Sequence, residues 1–317
     1  MNWKRLCDFG SKQLNKVNAW IVRNLMHLLR SDDHEFERLE QPTIVFSPHQ
    51  DDEVLGCGGM IILKRRLGTK VYIVFMTDGR ASHKSRFISP MELAELRKKE
   101  ARDCARSMGV PEENLIFLGF EDRFLCDHEI AAKKYVRQIL DTISPSEVFV
   151  PFRREAPSDH QATYRIVRDA LRESNGRHLS AIDLYEYFVW TPRLWFWKLR
   201  ELYHLNTWLR VDTYEIRLLK QNALGCYRSQ TTVLFPDPDW ATIPKDLLAW
   251  SAMPYEYYLK NFGKEKSFEN HCHTLSTRHA SERGLRSCSG LQPAGKSGET
   301  PSFHSSGSSK TPWNNRN

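Results

Sequence analysis

Residues 43–59 read TIVFSPHQDDEVLGCGG, and their order decides the fold. Thr43, Ile44, Val45 and Phe46 form a short apolar run, the composition of a buried strand. Ser47 and Pro48 stop it. The small residues Gly56, Gly58 and Gly59 then lead into Met60-Ile61-Ile62-Leu63, which is predicted to be helical. Between strand and helix stand His49, Asp51, Asp52 and Glu53, one imidazole and three carboxylates within five residues. A strand that turns and returns as a helix puts that turn at the carboxyl edge of a sheet, where open α/β folds bind ligands. Carboxylates gathered beside a hydrophobic strand need a compensating charge, and a metal ion is the simplest one.

The alternation continues outward. Strands are predicted over residues 70–76, 114–118, 147–150 and 182–189, and helices over 91–108, 130–143 and 161–173. Strands separated by helices of this length imply βαβ units and an α/β fold with a mostly parallel sheet. Each strand hands its carboxyl end to a polar loop, which suits one site assembled from several loops. Further helical stretches are expected over 215–226, 245–253 and 255–262. The aromatic-rich stretch 190–208 reads as a packed hairpin or helix cover, with ligand stacking as the alternative.

The flanks differ from this pattern. Residues 1–30 place Trp3, Leu6, Leu14, Val17, Trp20, Ile21, Leu25 and Leu28 at helical spacing, with Lys4, Arg5, Lys12, Lys16, Arg23 and Arg30 between them. Such a helix either packs on the domain or on a second copy, or makes peripheral membrane contact with an anionic surface. Residues 31–41 are polar and acidic, a linker. From residue 270 onward the chain has no Val, Ile, Tyr or Met, so it buries too little apolar surface to offset its ordering entropy and is expected to be disordered. The expected organisation is a basic helix and linker over 1–41, an α/β domain over 42–268 and a tail over 269–317.

Composition narrows the function. The chain has 317 residues with 40% hydrophobic content, enough for one large core with appendages. A net charge of +7 is compatible with anionic partners, but no basic–aromatic motif of known geometry accompanies it, so nucleic-acid binding is not expected. Seven scattered Cys without a C-x-x-C pair read as reduced thiols in a cytoplasmic protein. His271-Cys272-His273 lacks the second half of a metal site. No run of about 18 apolar residues is long enough to span a membrane, and no secretory leader is evident.

His49 and Asp52 are spaced i, i+3, so at the start of a helical turn both reach one cation. The third ligand is expected from another loop at the same edge. His160, in Pro157-Ser158-Asp159-His160 after the fourth strand, is the best candidate; helix capping is its plain alternative. Two His and one carboxylate with a position left for water is a catalytic zinc pattern, and related sites accept other divalent ions. Asp51 is adjacent but points elsewhere, so it is placed to take a proton from water.

Pro48-His49-Gln50-Asp51-Asp52-Glu53 resembles the P/A-H-x-D-D-E signature of the LmbE/PIG-L family of zinc-dependent N-deacetylases. Further matches are Thr77-Asp78-Gly79, Arg97 with Glu100-Ala101, Leu118-Gly119 with Asp122, Asp159-His160, and Lys220 with Tyr227, Ser229 and Gln230. The resemblance spans residues 43–262. It implies an LmbE-like, Rossmann-like three-layer fold and removal of acetyl groups from N-acetylglucosamine units of small glycosides or glycolipids. It implies His49, Asp52 and His160 as zinc ligands, Asp51 as general base, and Arg97 and Asp122 as sugar contacts. An ion pair with Glu100 is the alternative for Arg97. One departure stands out: the family usually has His-Pro-Asp-His where this chain has Pro157-Ser158-Asp159-His160. Pro157 can neither stabilise an oxyanion nor protonate an amine, and His83, Arg153, Arg154 and Glu155 are the nearby substitutes. A hydrolase for another amide or ester, or a metal-bound but inactive binding module, are the competing readings.

Overall fold

The computed structural model describes residues 39–173, 182–190, 208–238 and 240–261, with positions 17, 21 and 24. All of them fall in the first of two compact units, Met1–Lys264. The expected basic helix over 1–30, most of the aromatic stretch 190–208 and the tail from 269 lie outside the described residues.

The chain runs β1 (Thr43–Ser47), α1 (Asp52–Arg66), β2 (Val71–Thr77), α2 (Pro90–Ser107), β3 (Leu115–Phe120), α3 (Glu129–Ile143), β4 (Glu147–Pro151), α4 (Ser158–Arg172) and β5 (Asp183–Tyr187). It ends with β6 (Trp208–Asp212), α5 (Arg217–Leu224), α6 (Arg228–Thr231), α7 (Lys245–Ser251) and β7 (Tyr255–Asn261). The strands form one seven-stranded sheet in the order β3-β2-β1-β4-β5-β7-β6. The first five are parallel, and β7 runs antiparallel to both its neighbours.

Alternation along buried strands builds a core on each face. Val45, Ile73, Phe75, Phe149 and Tyr185 face α1 and α2, packing on Val54, Met60, Ile61, Ala101 and Cys104. Ile44, Phe46, Val74, Met76, Val148 and Val150 face α3 and α4, packing on Val136, Leu140, Ile166 and Val167. The result is the expected three-layer α/β fold.

Three local readings differ from expectation. First, α1 begins at Asp52, so the glycine patch lies inside the helix rather than before it. The glycines are there for close approach: a Cβ on Gly56 would stand 2.3 Å from the Tyr187 ring, and one on Gly59 2.3 Å from Thr213 Cγ2. Second, residues 255–261 are a strand, not a helix. Tyr257 and Leu259 pack with Phe152, Phe188 and Trp208 on one side, while Tyr258 enters the main core on the other, a period of two. Third, 208–212 is an edge strand, and Trp208 stacks on Phe188 at 5.3 Å as core.

Helix α1 is fixed from the carboxy-terminal half. Glu256 on β7 accepts the backbone amides of Gly59 (2.6 Å) and Met60 (2.8 Å). Lys220 on α5 bonds Glu256 at 2.7 Å and the Leu55 carbonyl at 3.1 Å. The sheet order reverses between β1 and β4, since β1 continues through α1 to β2 while β4 lies on its other side. The loops after β1 and β4 therefore flank a topological switch point, the usual place for a site in this architecture.

Candidate metal centre

Those two loops, with the one after β3, bring together the side chains singled out above. Asp52 opens α1, His49 lies in the preceding turn, and His160 sits in the first turn of α4. Asp52 Oδ2 stands 3.1 Å from His49 Nδ1 and 3.1 Å from His160 Nε2. One ligand atom from each of these three residues lies within 4.8 Å of the others.

The far side of each imidazole is held by carboxylates. His49 Nε2 lies 3.2 Å from Asp122 Oδ1 and 3.2 Å from Asp159 Oδ2. His160 Nδ1 donates to Glu155 Oε2 at 2.7 Å. Glu155 is itself fully buried and anchored, its other oxygen accepting the amides of Val189 (2.6 Å) and Trp190 (2.7 Å). Asp159 accepts the amides of Arg123 (2.7 Å) and Leu125 (3.2 Å). Asp122 accepts that of Ala81 at 2.9 Å. An ionised carboxylate only accepts, so with a cation beside Asp52 the outer carboxylates would keep the ring proton on His49 Nε2 and His160 Nδ1. Both rings thus turn Nδ1 of His49 and Nε2 of His160 toward Asp52, the outer-carboxylate arrangement typical of metal-ligating histidines. A second cluster, His49 with Asp122 and Asp159, also has metal-ligand proximity, but its carboxylates are the ones orienting the ring.

The electrostatics call for a cation. Burial alone disfavours charge on His160, yet Asp52 and Glu155 outweigh it and raise its pKa to about 9. His49 is likewise raised against burial, by Asp122, Asp159 and Asp52. Asp52, penalised by burial, is nevertheless held well below the usual carboxylate range by the two imidazoles. His160 Nε2 is fully buried and, although close to Asp52, lacks the geometry of a hydrogen bond. A divalent ion among the three atoms would answer both the excess negative charge and this unpartnered nitrogen. The residues fit such a group.

Asp51 stands beside the cluster, with φ 143° and ψ −25°, a backbone that L-residues rarely adopt. Burial raises its carboxyl pKa to about 7, against the opposing pull of Arg97. Arg97 lies 3.3 Å from Asp51 Oδ1 and donates to the carbonyls of Gln50 (2.6 Å) and Gly79 (3.3 Å). The alternative of an Arg97–Glu100 ion pair is not what forms: Glu100 accepts from the amide and hydroxyl of Ser229 at 2.8 and 2.6 Å. Arg97 and Asp122 are only 2% and 3% exposed, so they adjoin Asp51 and His49 rather than line an open wall.

The substitutes considered for the missing histidine have other partners. His83 Nε2 faces the Ser229 carbonyl at 3.0 Å and its ring stacks on Trp240 at 4.1 Å. Arg153 pairs with Glu186 at 2.8 Å, and Glu155 lies behind His160. Pro157 is the residue before α4, half-buried, with φ −65°. Glu155 and Asp159 as orienting carboxylates, and Tyr227 as the donor to Glu53, were not legible as such in the sequence.

Fold and site together define a doubly wound α/β protein with a His–Asp–His cluster suited to a metal at the switch point. Comparison with known proteins gives the family. The model described as PIG-L, GlcNAc-PI de-N-acetylase, matches residues 44–171. A probable N-acetyl-alpha-D-glucosaminyl L-malate deacetylase 2 from Bacillus cereus is 30% identical over 211 residues, covering 63% of this chain and 88% of the relative. The chain belongs to the PIG-L family, as the LmbE-like signature implied. Among solved structures, N,N'-diacetylchitobiose deacetylase from Pyrococcus horikoshii matches with TM-score 0.50 and 24% identity, over 69% of this chain and 81% of that one. The 4-carboxy-2-hydroxymuconate hydratase GalB from Pseudomonas putida matches with TM-score 0.52 and 14% identity, over 72% and 98%. These likenesses establish the fold; the hydratase shows that it also carries chemistry other than deacetylation.

Proposed function

We propose that the protein is a metal-dependent hydrolase that removes an N-acetyl group from an N-acetylglucosamine-type sugar of a glycoconjugate. The observation that carries this reading is the convergence of His49 Nδ1, Asp52 Oδ2 and His160 Nε2, with each imidazole held from behind by carboxylates. The named activity of the Bacillus cereus relative supports it. In this reading His49, Asp52 and His160 hold the metal, with zinc the ion best suited to two nitrogens and one oxygen. Zinc supplies Lewis-acid polarisation and lowers the pKa of water to about 7.

The chain's own residues supply the rest. Asp51, buried beside the cluster with a carboxyl poised near neutrality, takes the proton of the attacking water and returns it to the leaving nitrogen. The acetyl C–N bond breaks, giving acetate and a free amine. Arg97 and Asp122, implied as sugar contacts by the family resemblance, are buried here and act by holding Asp51 and His49 respectively. The partner is a small or lipid-linked N-acetylated sugar; the basic stretch 1–30 either packs on the domain or on a second copy, or makes peripheral contact with an anionic membrane. No helix among the described residues is long and apolar enough to cross one.

The test is Asp51→Asn, which keeps size and polarity and removes the base. General-base assistance contributes about 10²–10⁴-fold. The variant should keep its zinc and fold and lose at least about a hundredfold in acetate release from N-acetylglucosamine conjugates. Lost zinc would make Asp51 a ligand, and full activity would remove it from the reaction.

A further inference from the structure

Tyr227, Ser229 and Gln230 have no part in the His–Asp–His cluster and lie far along the chain from it. Asp51 poses the complementary question: what holds a non-glycine residue at φ 143°? Its backbone amide donates to Glu53 Oε2 at 3.0 Å. Its carboxylate and the carbonyl before it are gripped by Arg97, at 3.3 and 2.6 Å. These are two jaws, one on the backbone and one on the side chain.

Both jaws are tied to one short segment. Glu53 and Tyr227 are each fully buried, and Tyr227 donates its hydroxyl to Glu53 Oε1. Ser47 adds a hydroxyl to Glu53 Oε2 at 3.3 Å. Two residues beyond Tyr227, Ser229 bonds Glu100 through its amide and hydroxyl. Glu100 lies one turn from Arg97 on α2, so Ser229 secures the helix that carries the second jaw. Tyr227 and Ser229 are themselves set by α6 and the turn before it, where Tyr227 N bonds Leu224 O at 3.1 Å and Gln230 N bonds Tyr227 O at 3.0 Å.

We propose that Glu53 and Tyr227 are positioning residues that hold Asp51 in its left-handed backbone, with Ser229 bracing the opposing Arg97 through Glu100. Neither touches the substrate; they act through Asp51. The proposal rests on the reading of Asp51 as general base, and it extends that base's support to a segment outside the metal loops.

Tyr227→Phe tests it in the full-length, zinc-loaded protein, because it removes one hydroxyl and leaves the ring in the core. Two quantities are measured: kcat and KM for acetate release, and hydrogen exchange at the Asp51 amide by NMR. The expected result is a kcat lower by about ten- to a hundredfold. KM and zinc stoichiometry stay unchanged, and the Asp51 amide exchanges at least about tenfold faster. Ser229→Ala should give the same pattern at smaller amplitude, and it carries the test should Tyr227→Phe fail to fold. Unchanged kcat and unchanged Asp51 exchange in a folded variant overturn the proposal, even where thermal stability drops. Should the parent release no acetate, the functional reading fails on its own, and the exchange measurement still decides whether Tyr227 holds Asp51.

Discussion

Glu155→Gln isolates what a carboxylate behind a histidine contributes to metal binding. Among the described contacts, the native carboxylate accepts the N–H groups of Val189 and Trp190 on one oxygen and of His160 Nδ1 on the other. Glutamine has the same shape, but one end becomes a donor. With its oxygen kept on the two backbone amides, its NH2 faces His160 Nδ1, which must then accept. The ring proton moves to Nε2 and blocks the lone pair aimed at the cluster. Turning the amide over instead sets the NH2 against two backbone donors, leaving two buried N–H groups unpaired at about 1–3 kcal/mol each. The first arrangement therefore prevails, and metal binding must restore the other tautomer at the loss of one buried hydrogen bond. That places the penalty at about 1.4–2.8 kcal/mol, a 10–100-fold weaker zinc affinity, the range seen when such outer partners are changed. Competition titration against a chromophoric chelator measures it, with circular dichroism checking the fold. A folded Glu155→Gln protein whose zinc Kd is within about twofold of the parent would refute the reasoning, and with it the placement of His160 Nε2 on the metal.

Two shorter predictions follow from the same geometry. Gly56→Ala pushes a methyl to 2.3 Å from the Tyr187 ring, so it should destabilise by about 1–3 kcal/mol and lower Tm by several degrees; an unchanged melting curve would mean that α1 and β5 slide apart freely. Pro157→His restores an imidazole at the position before α4, where φ −65° suits any residue. Its kcat for acetate release should rise with zinc content unchanged, and a kcat equal to or below the parent's would show that the missing imidazole does not limit the reaction.

The parallel half of the fold was legible because its information is local. Strands β1 to β4 are largely apolar runs closed by polar loops, and α2 carries its own start in Ser89, Pro90 and Glu92, a complete capping box. His49, Asp52 and His160 were legible for the same reason, a motif at one strand end and a His at another. The antiparallel edge was not. β7 shows a period of two only in which core each residue enters, and its tyrosines satisfy a helical pattern equally well on paper. The glycines of α1 looked like a loop because the side chains that need the space, Tyr187 beside Gly56 and Thr213 and Glu256 beside Gly59, lie over a hundred residues away. Glu155 and Tyr227 were missed as supports because their meaning resides in a partner, and the Tyr227–Glu53 bond joins residues 174 apart.

The attachment of α1 to the last strand has a consequence for synthesis. The loop that carries His49 and Asp52 precedes by more than 160 residues the groups that steady it: Lys220, Tyr227 and Glu256, which takes the Gly59 and Met60 amides. A ribosome that has released only β1 to β5 has made every proposed metal ligand and none of these three supports. The bracing of the site is thus completed by distant parts of the chain, with β7 lying between β5 and β6. The loop that carries His49 and Asp52 thus depends on the strand that carries Glu256 as well as on its own sequence.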